Sequence, residues 1–466
     1  MLPLAYAKEY GAKGDAMMGY LNAGKRGLGL GLGMLLVLAS CTREVILDGP
    51  RFSVRTPLDQ TLNQDGTPAM PAAEAGNSVA NISLPRASTI GDWSHRAGSA
   101  SHTLPHGTLS AAPQWVWSVK IGQGNSRGER IAASPVAAGG RIFAMDAGGG
   151  VTALTQDGAV IWQANVLPDF DNNADVSGGG LAVGGGTVYV TTGAGEVLAL
   201  AANSGAVQWR QRLDGALSGP PTVSGGAVYA LGRNGSAAAL NTGTGRIEWQ
   251  IEGAPRPGGM LGAGAIAVSG GTAYLPYSAG QLTAVSQNGD LQWTAGIAGQ
   301  RLGRAYAGFG DVTGDPVIAG GTIYVGSAAG KTAALSAATG QRIWTATEGA
   351  LNAPLVVGGS VFVVNDQARL VRLSANDGAV VWAQTMPYFK NEKPKRFKGI
   401  TAHYGPVLAG GHIVVASGDG TLRLFDPASG TIVGQTEIPS GAASSPALVG
   451  GMLLVMGQNG QLHAFR

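Results

Sequence analysis

Residues 315–347 read DPVIAGGTIYVGSAAGKTAALSAATGQRIWTAT, and the fold turns on whether this stretch stands alone. It contains four short runs of alternating apolar and polar residues, separated by Gly-Gly, Ala-Gly and Thr-Gly, with Trp344 in the fourth run. Alternation with period two puts successive side chains on opposite faces, so each run reads as a short strand. Glycine at the turns supplies the positive φ that two-residue hairpins need, at no steric cost.

The stretch does not stand alone. A Gly-Gly pair after a short apolar strand ends at Gly140, Gly186, Gly226, Gly271, Gly321, Gly359, Gly411 and Gly451, at spacings of 38 to 52 residues. Trp162, Trp209, Trp249, Trp293, Trp344 and Trp382 occupy the fourth run of the first six units. Each is expected to pack across the gap to a neighbouring unit. In the seventh, SGTIVGQTEI, Gly434 stands at the tryptophan position, which predicts a looser junction. Helical periodicity is absent, which excludes the crossover helices of a parallel sheet. Eight four-stranded antiparallel units of this length predict an all-β fold, an eight-bladed β-propeller.

The eighth unit, SSPALVGGMLLVMGQNGQLHAFR, holds three strands and then stops at Arg466. Far upstream, residues 113–122 read PQWVWSVKIG, a strand without a sheet, and Trp117 matches the fourth-run tryptophans. Residues 114–121 are therefore expected to complete the last blade, leaving no seam of unpaired backbone. The propeller is assigned to residues 113–466.

Three bulk properties bound the function. Charged residues make up 13% of the chain, well under the usual share, and 77 glycines are over twice it. Net charge is +3, or +1 once residues 1–40 are removed, which gives no basis for a nucleic-acid partner. Cys41 is the single cysteine, so no intrachain disulfide forms.

Residues 1–40 read as a signal peptide. Lys25 and Arg26 precede LGLGLGMLLVLAS, residues 28–40, which matches an h-region and is too short to span a bilayer. Met17 or Met18 could equally serve as the start. The run ends in LASC, which resembles the bacterial lipobox and implies lipid attachment at Cys41. Acyl chains contribute about 0.8 kcal/mol per buried CH₂, enough together to hold a protein on a membrane. Thr42 stands where aspartate would argue for inner-membrane retention, so the resemblance implies the outer membrane. Residues 41–112 are rich in Pro, Ser, Ala and Gly and read as an irregular tether, with GDWSHRAGSASHTLPH, residues 91–106, draping on the propeller.

Chemistry-bearing clusters are sparse. His95, His102 and His106 fall close together, but their spacing fits no compact metal motif, and a solvated loop is expected. Asp169, Asp171, Asn173 and Asp175 alternate like the start of an EF-hand loop, yet Ala174 replaces the turn glycine and no glutamate closes it. An acidic inter-blade loop is expected there. Insertions gather at residues 167–177, 252–262, 298–313 and 387–403, all on the face that carries the inter-blade linkers, making it the candidate docking surface. The 298–316 linker offers Arg301, Arg304, Asp311 and Asp315. The 387–400 loop offers Lys390, Lys393, Lys395, Arg396 and Lys398 beside Tyr388 and Phe389, a mixture suited to a protein or an anionic headgroup, or to plain solvation.

The fourth-run pattern AATGQRIW, echoed in GTGRIEW and ANDGAVVW, resembles the tryptophan-docking repeat of pyrroloquinoline-quinone (PQQ) dehydrogenases, which are also eight-bladed. That family uses a vicinal cysteine pair, calcium ligands and a catalytic aspartate, whereas this chain has only Cys41. A PQQ-dependent dehydrogenase or another ligand-binding propeller is thus the alternative, and no cofactor is expected. Lipobox, tether and a ring closed by an N-terminal strand together resemble the BamB family, lipoprotein subunits of the outer-membrane β-barrel assembly machinery. The resemblance implies a non-enzymatic scaffold on the periplasmic face of the outer membrane. Its implied partners are the BamA POTRA domains, other assembly subunits and unfolded outer-membrane proteins. The family's contacts lie in the linkers entering blades four and five. Counting back from Pro316, Asp311 matches the first aspartate of the blade-five Asp-x-Asp; Thr313 replaces the second and Asp315 is displaced. In the blade-four linker, GAPRPGGML, Arg256 is out of register with the family's arginine.

Overall fold

The computed structural model describes residues 77–167, 178–217, 219–253, 264–277, 279–297, 299, 312–391, 393, 396–397 and 399–466. These form eight four-stranded antiparallel sheets and no α-helix. We number the blades by their Gly-Gly pairs, from Gly139–Gly140 in blade one to Gly450–Gly451 in blade eight. Blade five, the stretch quoted above, runs Val317–Ala319, Thr322–Ser327, Lys331–Ser336 and Arg342–Ala346 from the axis outward. In all eight pairs both glycines have positive φ, between 55° and 84°, as a tight hairpin of right-handed twist requires. The inner strands of neighbouring blades touch from blade one to blade seven, and that of blade eight touches that of blade one.

The core lies between blades. In blade two, Val190, Leu198 and Leu200 pack toward blade one, while Tyr189, Val197 and Ala199, their sequence neighbours, pack toward blade three. Both faces of each inner hairpin are thus buried, and the alternation that defines the strands also assigns each residue to one of two inter-blade layers. Outer strands are half exposed, as in Val207–Arg212.

One device sets the blade spacing. In blades one to six the outer-strand tryptophan packs on an aromatic ring in its own blade, for example Tyr324 and Trp344 with centroids 5.9 Å apart. Its indole N–H then donates to a carbonyl of the next blade, as Trp344 does to Ala375 O at 2.8 Å. Its ring lies against the glycine between the third and fourth strands of that blade. A Cβ on Gly378 would sit 2.6 Å from the Trp344 ring, and one on Gly340 2.5 Å from Trp293. Those glycines also have φ of +75° and +69°, so both sterics and backbone demand glycine.

Blade eight takes three strands from the C-terminus, Ala447–Val449, Met452–Met456 and Gln461–Phe465, and its outer strand, Trp115–Lys120, from upstream. Trp117 pairs with Ala464, and Gln114 and Arg466 exchange backbone hydrogen bonds of 2.7 and 2.9 Å. The blade-seven junction is not loose. Gly434 lacks the indole, but the chain entering Trp115–Lys120 runs past it: a Cβ there would meet Ala111 O at 3.8 Å, and Thr436 Oγ1 donates to Pro113 O at 2.9 Å. Blades seven, eight and one share a continuous apolar cluster that includes Leu424, Ile438, Leu448 and Phe465.

Candidate functional site

The free edges of the inner strands face the axis, where each would present unpaired N–H groups. Residues 77–112 form no strand, yet they cross this hub and meet the edges one after another. Trp93 exchanges backbone hydrogen bonds with Ala137 of blade one, at 2.7 and 2.8 Å. Val183 N donates to Ser94 O in blade two, Val268 N to Ala100 O in blade four, and Ile318 N to Ser101 O in blade five. Gly107 is held from both sides by Leu408 and Gly410 of blade seven, and Gly450 N of blade eight donates to Ile90 O. On blade six, Ser83 O lies against Gly358, and Arg372 reaches Asn81 O. The segment is a staple through the ring rather than a drape on its surface.

The three histidines belong to this staple, which corrects the solvated-loop expectation. His95, His102 and His106 are 5%, 1% and 8% exposed. His95 Nε2 accepts the Val223 N–H of blade three at 3.0 Å, so its proton sits on Nδ1, 2.8 Å from Ser94 Oγ. His106 repeats the pattern, accepting from Gly411 N at 2.9 Å and donating from Nδ1 to Pro85 O. His102 Nδ1 donates to Pro316 O at 2.9 Å. Burial first, and the neighbouring His102 second, lower His95 to about 3. Burial likewise lowers His102, against the opposing pull of Asp315. Both imidazoles are neutral pins for backbone groups. Their signal in the sequence was weak, because a histidine that caps an N–H needs no fixed spacing.

Asp315 and Thr313 are also inside. Asp315, 2% exposed, is gripped by Arg96 of the staple, with Arg96 Nε to Asp315 Oδ2 at 2.8 Å and a second bond from the other guanidinium nitrogen to Oδ1. Its Oδ1 also accepts the Ala265 N–H of the blade-four linker at 2.6 Å. Burial alone would raise this carboxyl, but Arg96, His102 and the amide hold it below the ordinary carboxylate range. Thr313, 5% exposed, donates to Ala350 O at 2.8 Å. These two side chains anchor the base of the blade-five linker and do not project from it. Arg256, Arg301, Arg304, Asp311, the Asp169–Asp175 loop and Cys41 lie outside the described residues.

At the linker face, Phe389 stacks on Phe397 with centroids 4.0 Å apart, and Tyr388 meets Phe389 edge-on. This aromatic clasp, with the Lys390 N to Gly399 O bond of 2.9 Å, holds exposed Lys390, Lys393 and Arg396 on a shaped loop. Lys395 and Lys398 lie outside the described residues. Among the described residues, no three His, Cys, Asp or Glu side chains converge as metal ligands.

The fold and its tryptophan-on-glycine docking define the class: an eight-bladed propeller of PQQ-like repeats, here with a stapled hub. A family model described as outer membrane protein assembly factor BamB matches residues 108–177, 148–384 and 389–466, and the chain belongs to that family. BamB of Salmonella typhimurium is 30% identical over 368 residues, covering 78% of this chain and 91% of its own length. BamB of Escherichia coli is 29% identical over 367 residues, with 78% and 91% covered. Among solved structures, BamB from Moraxella catarrhalis superposes with a TM-score of 0.64 at 18% identity, over 76% of this chain and all of that one. The quinohemoprotein alcohol dehydrogenase of Comamonas testosteroni gives 0.59 at 16% identity over 81% of each chain, a likeness of fold.

Proposed function

We propose that this chain is a non-enzymatic scaffold of outer-membrane β-barrel assembly, tethered by lipid at Cys41 to the periplasmic face of the outer membrane. The observation that carries the reading is family membership over nearly the whole ring. In this reading the linker face docks on the POTRA domains of BamA and on other assembly subunits. Arg256, Arg301, Arg304 and Asp311 are its candidate contacts, and Thr313 and Asp315 brace the blade-five linker from beneath. Bracing the base of a linker favours binding, because less ordering entropy is lost on docking.

The rim supports a second part of the role. Outside blade six, whose outer strand bonds to Asn77 and Ser78, outer strands carry exposed apolar residues at or near their start: Val160, Val207, Ile247, Leu291, Ile343 and Ile432 are 38% to 68% exposed. An extended, unfolded barrel strand could add to the outer edge of such a strand by backbone pairing.

Affinity capture of the tagged full chain from solubilised outer membranes tests the docking. Recovery of a large barrel protein is expected, reduced about tenfold by charge reversal at Arg301 and Arg304; a mutual loss of that order is usual for paired interface charges. Absence of any barrel protein contradicts the reading. Cys41→Ser is expected to move the chain from the membrane to the soluble fraction. The quinoprotein alternative rests on a fold-level likeness, which does not carry an activity. Stoichiometric PQQ absorbance retained with calcium would favour it.

A further inference from the structure

Charge is not spread evenly over this chain. Residues 387–400, which lead into blade seven, carry Lys390, Lys393, Lys395, Arg396 and Lys398 against Glu392, a net of +4. The whole chain has a net charge of +3, so the remainder sums to −1, or to −3 once residues 1–40 are removed. An anionic surface therefore attracts this loop and repels the rest, which orients the molecule as well as holding it.

The loop is a finger of defined shape. Lys390 N donates to Gly399 O and Thr401 N to Tyr388 O, both at 2.9 Å, and Phe389 pairs with Ile400. Nearer the tip, Arg396 N donates to Lys393 O at 2.7 Å and Lys393 N to Asn391 Oδ1 at 3.0 Å. Its base is pinned from inside blade seven. His403, 4% exposed, donates from Nε2 to Pro387 O at 2.9 Å and accepts the Ser417 hydroxyl at Nδ1, 2.7 Å away. Lys390, Lys393 and Arg396 are exposed and form no ion pair among the described residues.

The way the finger uses its aromatic residues identifies the partner. Tyr388, Phe389 and Phe397 pack on one another, the two phenylalanine rings parallel to within 5°. Engaged in this way, they do not project as anchors for a pocket on a protein or as platforms for a nucleic-acid base. Four of the five cations are lysines. Protein interfaces deplete lysine, and its hydrated point charge suits a diffuse anionic surface more than a fitted site. The finger also lies two blades, a quarter turn of the ring, from the linker entering blade five, so it is a different patch from the contacts proposed there.

We propose that this finger is a membrane contact, in which Lys390, Lys393 and Arg396 lie against the headgroups of an anionic phospholipid bilayer. Each cation near such a surface multiplies partitioning about fivefold, so three together act on the order of 100-fold. The contact rests neither on the lipid at Cys41 nor on the docking to a protein partner. Where the lipid is present, it keeps the finger within reach of the bilayer and makes a weak contact effective.

Sedimentation with phospholipid vesicles is the test, using the full chain with Cys41→Ser so that no acyl chain contributes. Partitioning should favour vesicles holding about 30 mol% phosphatidylglycerol over pure phosphatidylcholine by about tenfold or more, and salt at about 0.5 M should remove the preference. Lys390→Gln, Lys393→Gln and Arg396→Gln together should lower partitioning to the anionic vesicles about tenfold or more, at unchanged Tm because the side chains are exposed. Arg246→Gln with Arg342→Gln, exposed cations beside the turns between third and fourth strands on the opposite face, should change it by less than about twofold. Equal partitioning into both vesicles, or a full preference in the triple variant, overturns the proposal. The triple variant should still capture a barrel protein as the parent chain does, which keeps this contact apart from the docking. Loss of that capture, or binding to soluble polyglutamate without a preference for anionic vesicles, would assign the finger to an acidic protein and overturn the membrane contact.

Discussion

Glycine carries two different loads in this ring, and substitution separates them. Gly321 has φ of +78° with open space where a Cβ would go, so Gly321→Ala pays only for the left-handed backbone, about 1–2 kcal/mol. Gly340 has a similar φ but lies under Trp293, so Gly340→Ala adds overpacking of about 1–3 kcal/mol. Urea unfolding should therefore rank Gly340→Ala below Gly321→Ala; equal losses would mean that the indole does not set blade spacing. The histidine pins give a pH signature. A folded-state pKa below the unfolded value of about 6.5 means that the unfolded chain binds the extra proton as pH falls. Stability contributed by neutral His95 is thus complete above about pH 6.5 and declines through the acid range toward its folded value of about 3. The slope is about 1.4 kcal/mol per pH unit for each such group. His102 titrates in the same direction, whereas Asp315, lowered by Arg96, loses stabilisation only below about pH 4, where the unfolded carboxyl takes up its proton. Tm should fall between pH 7 and pH 5, and less steeply in His95→Gln, whose carbonyl can still accept the Val223 N–H. A parallel slope in that variant would remove His95 as a cause.

At the scale of elements, the staple matters through what it covers. Arg96 and Asp315 are both largely buried, so removing one leaves the other charged and unpaired. Arg96→Ala should cost about 3–5 kcal/mol, while Arg96→Met with Asp315→Leu should cost much less, because the desolvation of both charges is relieved. Additive losses in that double-mutant cycle would contradict the pairing. Gly434 is explained at this scale too. Every docking tryptophan needs a glycine in the third turn of the next blade, and in blade eight that turn is the gap between Arg466 and Gln114. An indole at position 434 has nothing to dock on, and the incoming chain takes its place. Strands, turns and tryptophans were legible in the sequence because each is set by residues within a few positions of one another. The staple was not: its bonds join irregular backbone to the inner edges of seven blades and to Arg372 of the sixth, without periodicity, in a segment whose composition reads as linker. The same limit applied to Asp315, whose polar linker sequence suggested exposure and whose partner, Arg96, lies 219 residues away.

The ring of residues 113–466 is a circle made from a line, with both its ends assigned to one sheet. That sharing explains why Trp115–Lys120 stands apart in the sequence from the other strands and why the eighth unit stops one strand short. It also fixes the blades that carry the linkers, on which the proposed docking depends. The closure has a local reporter in Arg466, which follows the last strand and would be unprotected in an open blade. In the closed ring its amide donates to Gln114 O at 2.9 Å. Residue-resolved hydrogen exchange on the intact chain should therefore find the Arg466 amide protected for as long as the amides of Gln461–Phe465, opening only with the blade. Exchange of Arg466 at the rate of an unprotected amide, while that strand remains protected, would contradict closure of the ring.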